Sequence, residues 1–223
     1  MVDLKNIKQE DLWYVVGLIV TDGNLSSDGR HIHITSKDIC ILERVCDALG
    51  IKSKIGRKSS GSNKAKNYGF LAFSDVNFYR YLLGIGLTPH KSLTIGEIAV
   101  PIKYLSDFTR GVIDGDGNIS RWIHSTNKHE QWSLRIVSGS ELFIKWFANM
   151  AMRYFGVSGR LHVAKSKQKK NPLYIVKFGK IATKIILSKS YYPDCLALPR
   201  KQAQAALCIK SGNGWRGYAN MNT

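Results

Sequence analysis

The longest unbroken apolar run is Leu12-Trp13-Tyr14-Val15-Val16-Gly17-Leu18-Ile19-Val20, and it leads to Thr21-Asp22-Gly23. It reads as a helix over 11–22, with an early acid at Asp11 and a stop at Gly23. A helix apolar nearly all round must be buried on most sides. The segment Arg30-His31-Ile32-His33-Ile34-Thr35 instead alternates polar and apolar, the period of a strand with one solvent-side face. A turn at Ser26-Ser27-Asp28-Gly29 precedes it. Ile39, Leu42, Val45, Cys46 and Leu49 then recur at helical spacing, which predicts a helix near 37–49, capped by Ser36 and closed by Gly50. Lys52–Lys58 and Tyr68–Ser74 read as a hairpin around the loop 59–67, followed by a helix over about 75–84.

The same order returns further on. Ser106 precedes a helix at 107–116, and a strand at Ser133–Ser138 follows the excursion His124–Gln131. A helix at 140–155 ends at Gly156. Strands near 160–166 and 173–178 frame a basic loop. Helices over 180–189 and from Pro199 to about Lys210 complete the chain. The spacing between matching landmarks grows from 94 residues (Asp22 to Asp116) to 106 (Gly50 to Gly156) and 110 (Lys91 to Lys201). Insertions in loops account for such drift. The order αββαββα, given twice, predicts an α+β protein of two pseudo-symmetric halves, 1–97 and 106–223, joined by a linker at 98–105 that contains Pro101.

Composition adds a partner. The 223 residues hold 33 Lys+Arg against 16 Asp+Glu, a net charge of +17. With an isoelectric point near 9.8, such a chain suits a polyanion, nucleic acid above all. The charge is also segregated: residues 48–74 and 142–193 contain no acid at all. A membrane surface would want those charges on an amphipathic helix, whereas here they fall largely on strands and hairpin loops. The nine residues of Leu12–Val20 are far short of the ~20 needed to span a bilayer. Cys40, Cys46, Cys195 and Cys208 form no Cys-x-x-Cys pair, and the six histidines show no zinc-ligand spacing. No segment has the make-up of a secretory leader. An intracellular protein is expected, in the cytoplasm or nucleoid of a prokaryote or in an organelle matrix.

Two nonamers stand out: Val15-Val16-Gly17-Leu18-Ile19-Val20-Thr21-Asp22-Gly23 and Thr109-Arg110-Gly111-Val112-Ile113-Asp114-Gly115-Asp116-Gly117. Each sets a glycine inside an apolar run and ends in Asp-Gly, and each continues alike, as Asp-Gly-Asn-Leu-Ser (22–26) and Asp-Gly-Asn-Ile-Ser (116–120). Glycine costs a helix interior about 1 kcal/mol relative to alanine, so its recurrence calls for a close approach between the two helices. That approach brings Asp22 and Asp116 together, a pair suited to holding a divalent cation against phosphate oxygens.

The paired nonamers resemble the two signature motifs of single-chain LAGLIDADG homing endonucleases, and the repeat order extends the resemblance along nearly the whole chain. The resemblance implies a homing endonuclease-like fold, with antiparallel sheets forming a saddle over double-stranded DNA. It implies a metal-dependent endonuclease that makes double-strand breaks with short 3′ overhangs at a long target. Mg²⁺ is the expected cofactor, with Mn²⁺ able to substitute and Ca²⁺ supporting binding without cleavage. Asp22 and Asp116 become the metal-binding acids, joined by the backbone carbonyls of Thr21 and Gly115. Lys91 and Lys201, each close to a proline (Pro89, Pro199), correspond to the basic residue kept beside the metal site. Asp114 faces Val20 in the alignment of the motifs, so a local hydrogen bond is expected of it rather than catalysis.

Candidate DNA contacts are Asn24, Arg30, His31, His33, Lys52, Lys54, Arg57 and Lys58 in the first half, and Asn118, Arg121, Arg135, Arg160, His162, Lys165, Lys167 and Lys177 in the second. Because both motifs lie in one chain, a monomer with an internal pseudo-twofold is expected. Its halves have diverged, which implies a non-palindromic target. The alternative is an intron RNA maturase or a DNA-binding regulator on the same scaffold that does not cleave.

Overall fold

The computed structural model describes residues 1–60, 63–165 and 171–212. The first half runs α1 (Gln9–Asp22), β1 (Gly23–Leu25), β2 (His31–Ser36), α2 (Ile39–Leu49), β3 (Ile55–Ser60), β4 (Asn63–Ser74) and α3 (Val76–Gly84). The second runs α4 (Leu105–Asp116), β5 (Asn118–Ile123), β6 (Glu130–Ser138), α5 (Glu141–Met150), β7 (Arg160–Ala164), β8 (Leu173–Phe178), α6 (Lys180–Ser190) and α7 (Pro199–Lys210). Each half forms one antiparallel four-stranded sheet, in the order β1-β2-β4-β3 and β5-β6-β8-β7. The expected α+β architecture is the one observed. The second half adds α7 where the first has a single 3₁₀ turn, Lys91–Leu93.

The core packs helices against each sheet and is centred on α1 and α4, which meet each other. Every residue from Leu12 to Val20 is buried, as is every residue from Leu105 to Asp114. Gly17 and Gly111 face one another at the crossing. A Cβ on Gly17 would lie 2.9 Å from Val112 N and 3.0 Å from Gly111 Cα. One on Gly111 would lie 2.9 Å from Leu18 N and 3.0 Å from Gly17 Cα. The obstructing atoms are backbone, which no rotamer change can move aside.

Several boundaries differ from those expected. The N-cap of α2 is Asp38, not Ser36, whose Oγ accepts from Asp38 N at 3.2 Å and shapes the turn before the helix. Ser106 lies buried inside α4, which begins at Leu105 within the expected linker; the 3₁₀ turn Ile102–Tyr104 leads into it. The strand expected from Lys52 starts at Ile55, after Gly50 and an unpaired 51–54. Helix α5 ends at Met150 and continues as a wider π turn over Ala151–Phe155.

Candidate active site and nucleic-acid interface

The α1–α4 crossing brings the C-terminal ends of both helices to one place. Asp22 and Asp116 occupy the last helical positions, and the strands β1 and β5 leave directly from Gly23 and from Asn118 after Gly117. The two acids line a cleft of about 560 Å³ with Thr21, Thr35, Ser36, Lys37, Asp38, Tyr68, Asp114, Gly115 and Arg200. Gly115 makes the approach possible. A Cβ there would overlap the Thr21 side chain and lie 3.4 Å from Asp22 Oδ2. Thr21 Oγ1 itself donates back to Leu18 O at 3.0 Å, so it cannot swing away without losing that bond.

Lys91 and Lys201 are buried, each 4% exposed, directly beneath the two helix ends. Lys91 Nζ donates to Val20 O at 2.7 Å. Lys201 Nζ donates to Ile113 O at 2.5 Å, Asp114 O at 2.8 Å and Gly115 O at 3.0 Å. A helix C-terminus carries unsatisfied carbonyls and a partial negative charge, and a cation there answers both. The two lysines thus tie each motif helix to the segment late in its own half.

The charges act on one another. Burial raises the Asp22 carboxyl to about 7, and neighbouring Asp116 adds to the rise, while Lys201, Lys91 and Arg200 oppose it. Asp116 reaches solvent at the cleft mouth, yet its protein surroundings also raise its carboxyl, against the pull of Lys201 and Lys91. Burial lowers both ammonium groups, Lys91 and Lys201, to about 8.

Asp114 departs from expectation: its bonds are long-range, not local. It accepts from Tyr14 OH at 2.9 Å, from Tyr191 OH at 2.6 Å and from Leu198 N at 2.6 Å. Burial raises its carboxyl, with these three donors opposing the rise. Beside it, fully buried Arg110 pairs with Asp107 at 2.9 Å and donates to Ser190 O at 2.7 Å and Leu196 O at 2.8 Å. Its guanidinium lies between the rings of Tyr14 and Tyr192, 5.2 and 4.9 Å from their centroids. Tyr192 OH completes the network by donating to Asp107 at 2.6 Å. Together these bonds fasten the segment 190–198 to α4 and so set the start of α7, which carries Lys201. Sequence reasoning passes over Arg110 and Asp107, although a charged pair inside an apolar helix is the signal.

The cleft supplies a donor set for a hard cation. Among the described residues no group of three His, Cys, Asp or Glu side chains could hold a metal. Two carboxylates with main-chain carbonyls fit an ion that keeps waters and takes oxygens from its substrate, as Mg²⁺ does. Gly115 O already accepts from Lys201, and a carbonyl's second lone pair leaves room for a further partner.

Cross-strand register sorts the candidate DNA contacts by face. In the first sheet, buried Ile32 and Ile34 mark the helix side, so His31, His33 and, through its pairing with His33, Asn24 lie on the open side. Phe70 joins them, with the His33 ring 5.2 Å away and Lys58 Nζ 5.0 Å over its face. In the second sheet the open side carries Asn118, Arg135, Lys177 and Arg160, related by direct pairing, and His162, two residues on from Arg160.

Two candidates fall on the other side. Arg57 pairs with Gly69, whose Cβ position meets Leu42 and Ile39 of α2. Arg121 pairs with buried Trp132 and salt-bridges Glu130 at the sheet edge. Strand alternation, which a choice based on charge alone ignores, puts both away from the open face. Arg30, Lys52, Lys54 and Lys165 are exposed outside the strands, with Arg30 3.8 Å from Asp28. Lys167 lies outside the described residues. Sequence reasoning also passes over Trp122, 40% exposed on the open face with Lys177 Nζ 5.6 Å from its ring centre.

No helix among the described residues is long and apolar enough to cross a membrane. No protein-family model matches the sequence, and no curated protein matches it. Solved structures do match. The homing endonuclease I-WcaI bound to its DNA recognition sequence superposes with a TM-score of 0.62 at 10% identity, over 89% of this chain and 87% of that one. I-DmoI in complex with DNA and Ca gives 0.57 at 20% identity, over 89% and 96%. Full-length DUF199/WhiA from Thermatoga maritima gives 0.57 at 13% identity; it matches 90% of this chain, which spans 60% of that longer protein. From its paired motif helices to its two open sheets, the chain has the LAGLIDADG homing-endonuclease fold.

Proposed function

We propose that the protein is a site-specific endonuclease that hydrolyses both strands of double-stranded DNA with a divalent metal and leaves short 3′ overhangs. The fold is shared with DUF199/WhiA as well as with endonucleases, so the activity is argued from the site. One observation carries it. Two carboxylates from two different helices meet in a cleft at the junction of two basic sheets, each helix end held by a buried lysine.

The residues divide the work. The open sheet faces, with His31, His33, Lys58, Arg135, Arg160 and Lys177, take the duplex, where Lys and Arg meet phosphates and a strand pair fits the major groove. Asp22 and Asp116, helped by the carbonyls of Thr21 and Gly115, hold the metal. When bound, the metal supplies positive charge to the scissile phosphate and activates water. Water adds to phosphorus as the P–O3′ bond breaks, and the 3′ oxygen takes up the proton. Lys91 and Lys201 keep the helix ends, and so the acids, in register, and add positive charge beside the phosphates.

Mg²⁺ is the proposed ion, with Mn²⁺ as a substitute. Ca²⁺ is proposed to support binding alone, which agrees with I-SmaMI bound to uncleaved target in the presence of calcium ions. The enzyme acts as a monomer on a non-palindromic site inside the cell, and an intron-borne gene would suit such an activity.

The test is plasmid linearisation. A target selected from a randomised duplex library should be linearised with Mg²⁺ and left intact with Ca²⁺ or EDTA. Asp22→Asn and Asp116→Asn should each fold and bind that target yet fail to cut it. Tight binding by the unaltered protein without cutting, in either Mg²⁺ or Mn²⁺, would instead favour a DNA-binding regulator or an intron-RNA maturase.

A further inference from the structure

The two ends of the cleft are not equivalent. Lys201 is preceded by Arg200, and Lys91, at the matching place, by His90. Arg200 lines the cleft with both acids, and its positive charge is felt at Asp22. Its Nε and one terminal nitrogen each lie 3.1 Å from Asp38 Oδ2, a residue of the other half. The Arg200 side chain is 56% exposed, and its guanidinium fork has N–H groups beyond those Asp38 takes.

The segment before Arg200 is anchored to the same helix, α2, by Arg44, which donates to Ala197 O at 3.0 Å. Lys37, its Nζ 5.7 Å from the Tyr68 ring centre, lines the same cleft. His90 is placed otherwise. It adopts a left-handed backbone conformation, φ 56°, and its Nε2 lies 3.2 Å from Ser27 Oγ, which ties the ring to the turn between β1 and β2.

We infer that Arg200 is a catalytic residue for one strand only: it grips a phosphate over the paired acids, whereas His90, at the matching place, is tied to Ser27 and does not grip the other strand. The inference rests on the proposed endonuclease reading for its kinetic consequence. A guanidinium fork matches two phosphate oxygens, so the contact is bidentate and charge-assisted. Exposed ion pairs are weak, with a median stability contribution near 0–1 kcal/mol, so leaving Asp38 for a phosphate costs little. Until then Asp38 holds the fork at the cleft, which lowers the ordering cost of the new contact. The strand facing Arg200 is therefore cut first, and a duplex nicked only in the other strand does not accumulate.

The test uses the full chain and the selected target, with neutral methylphosphonates scanned singly across the central phosphates of each strand. In EDTA, Arg200→Ala should weaken binding to unmodified DNA about tenfold, the loss of one charge-assisted pair. That loss should vanish when one particular phosphate of one strand is neutral and persist for every neutral position on the other strand. With Mg²⁺, the unaltered protein should nick one strand ahead of the other, and Arg200→Ala should slow that strand selectively.

An equal binding loss for neutral positions on both strands would overturn the inference. So would a fall in melting temperature with unchanged affinity, which would make Arg200 only a strut between the halves. Equal nicking rates for the two strands in the unaltered protein would overturn it too. A strand-selective binding loss without any cutting in Mg²⁺ would uphold the contact and defeat the endonuclease reading, so the two failures are told apart.

Discussion

Replacing Gly111 with alanine should separate stability from activity. The added Cβ would overlap Tyr14 O and sit 2.9 Å from Leu18 N and 3.0 Å from Gly17 Cα. Non-bonded heavy atoms pack comfortably at about 3.5–4.0 Å, so clearing the Tyr14 carbonyl requires the two helices to part by roughly 1 Å. Overpacking of this kind costs about 1–3 kcal/mol. Alanine returns about 1 kcal/mol through its better helix propensity. The net loss is then about 0–2 kcal/mol, worth only a few degrees of melting temperature in a chain of this size.

Cleavage should suffer far more. Asp116 ends the same rigid helix, and a displacement near 1 Å of a catalytic group costs about 10²-fold. Thermal melts, DNA affinity in EDTA and single-turnover linearisation would be compared for Gly111→Ala, its mate Gly17→Ala and the control Gly84→Ala, whose Cβ meets nothing within 4 Å. The control should cut normally. If Gly111→Ala cut within a few-fold of the unaltered rate, the acids would not depend on helix spacing, and the reasoning would fail.

Three further outcomes follow from the same geometry. In EDTA, stability should fall as pH rises from about 4 to about 7: Asp22 keeps its proton in the folded protein up to about 7 but loses it near 4 when unfolded, so the folded state binds more protons in that window. Asp22→Asn should flatten the fall, and an unchanged slope in melts across that range would put the cause elsewhere. Asp114→Asn keeps one oxygen for Tyr14 OH and Leu198 N–H but removes the charge and turns an amide donor toward Tyr191 OH, so it should cost about 1–3 kcal/mol and reduce cleavage as Lys201 loosens; unaltered melting would refute the clamp. Arg135→Ala with Lys177→Ala should lessen the log–log salt slope of DNA binding by about 0.9 for each phosphate no longer neutralised, while Arg121→Ala, on the opposite face, should leave it unchanged.

Much of the architecture was legible because two periods carried it. The all-apolar run ending at Asp22 could only be a buried helix, and the alternation at 30–35 could only expose one face. The paired glycines announced the crossing. What the sequence hid was the direction of side chains and the bonds made at long range. Arg57 and Arg121 look like their neighbours in composition, yet an odd or even place along the strand decides which side of the sheet they serve. Asp114 resembles a turn residue, and only the return of the chain at 190–198 reveals its partners, Tyr191 and Leu198. Arg200 was invisible for the same reason: its meaning depends on Asp38, 162 residues away.

The four charged groups at the helix ends explain why such a site would stay inert until it is filled. Each of them is less comfortable in its charged form than the same group in water: Asp22 and Asp116 are raised, Lys91 and Lys201 lowered. The lysines relieve the acids only in part, because their nitrogens are committed to the carbonyls of Val20, Ile113, Asp114 and Gly115 rather than to the carboxylates. Had either lysine formed a direct ion pair with an acid, the pair would be self-satisfied and a cation would have to displace it. Keeping the ammonium groups on backbone leaves the carboxylates short of positive charge. On the proposed reading, a divalent ion would supply that charge to the acids, and a phosphate would supply the complementary negative charge to the lysines and Arg200. The two would then favour each other's binding across the cleft, so metal and DNA should show positive coupling: Ca²⁺ should tighten DNA binding by the unaltered protein and fail to do so in the Asp22→Asn variant. Affinities measured by titration with and without Ca²⁺ decide it, and equal tightening in both proteins would show that the ion acts somewhere other than this pair.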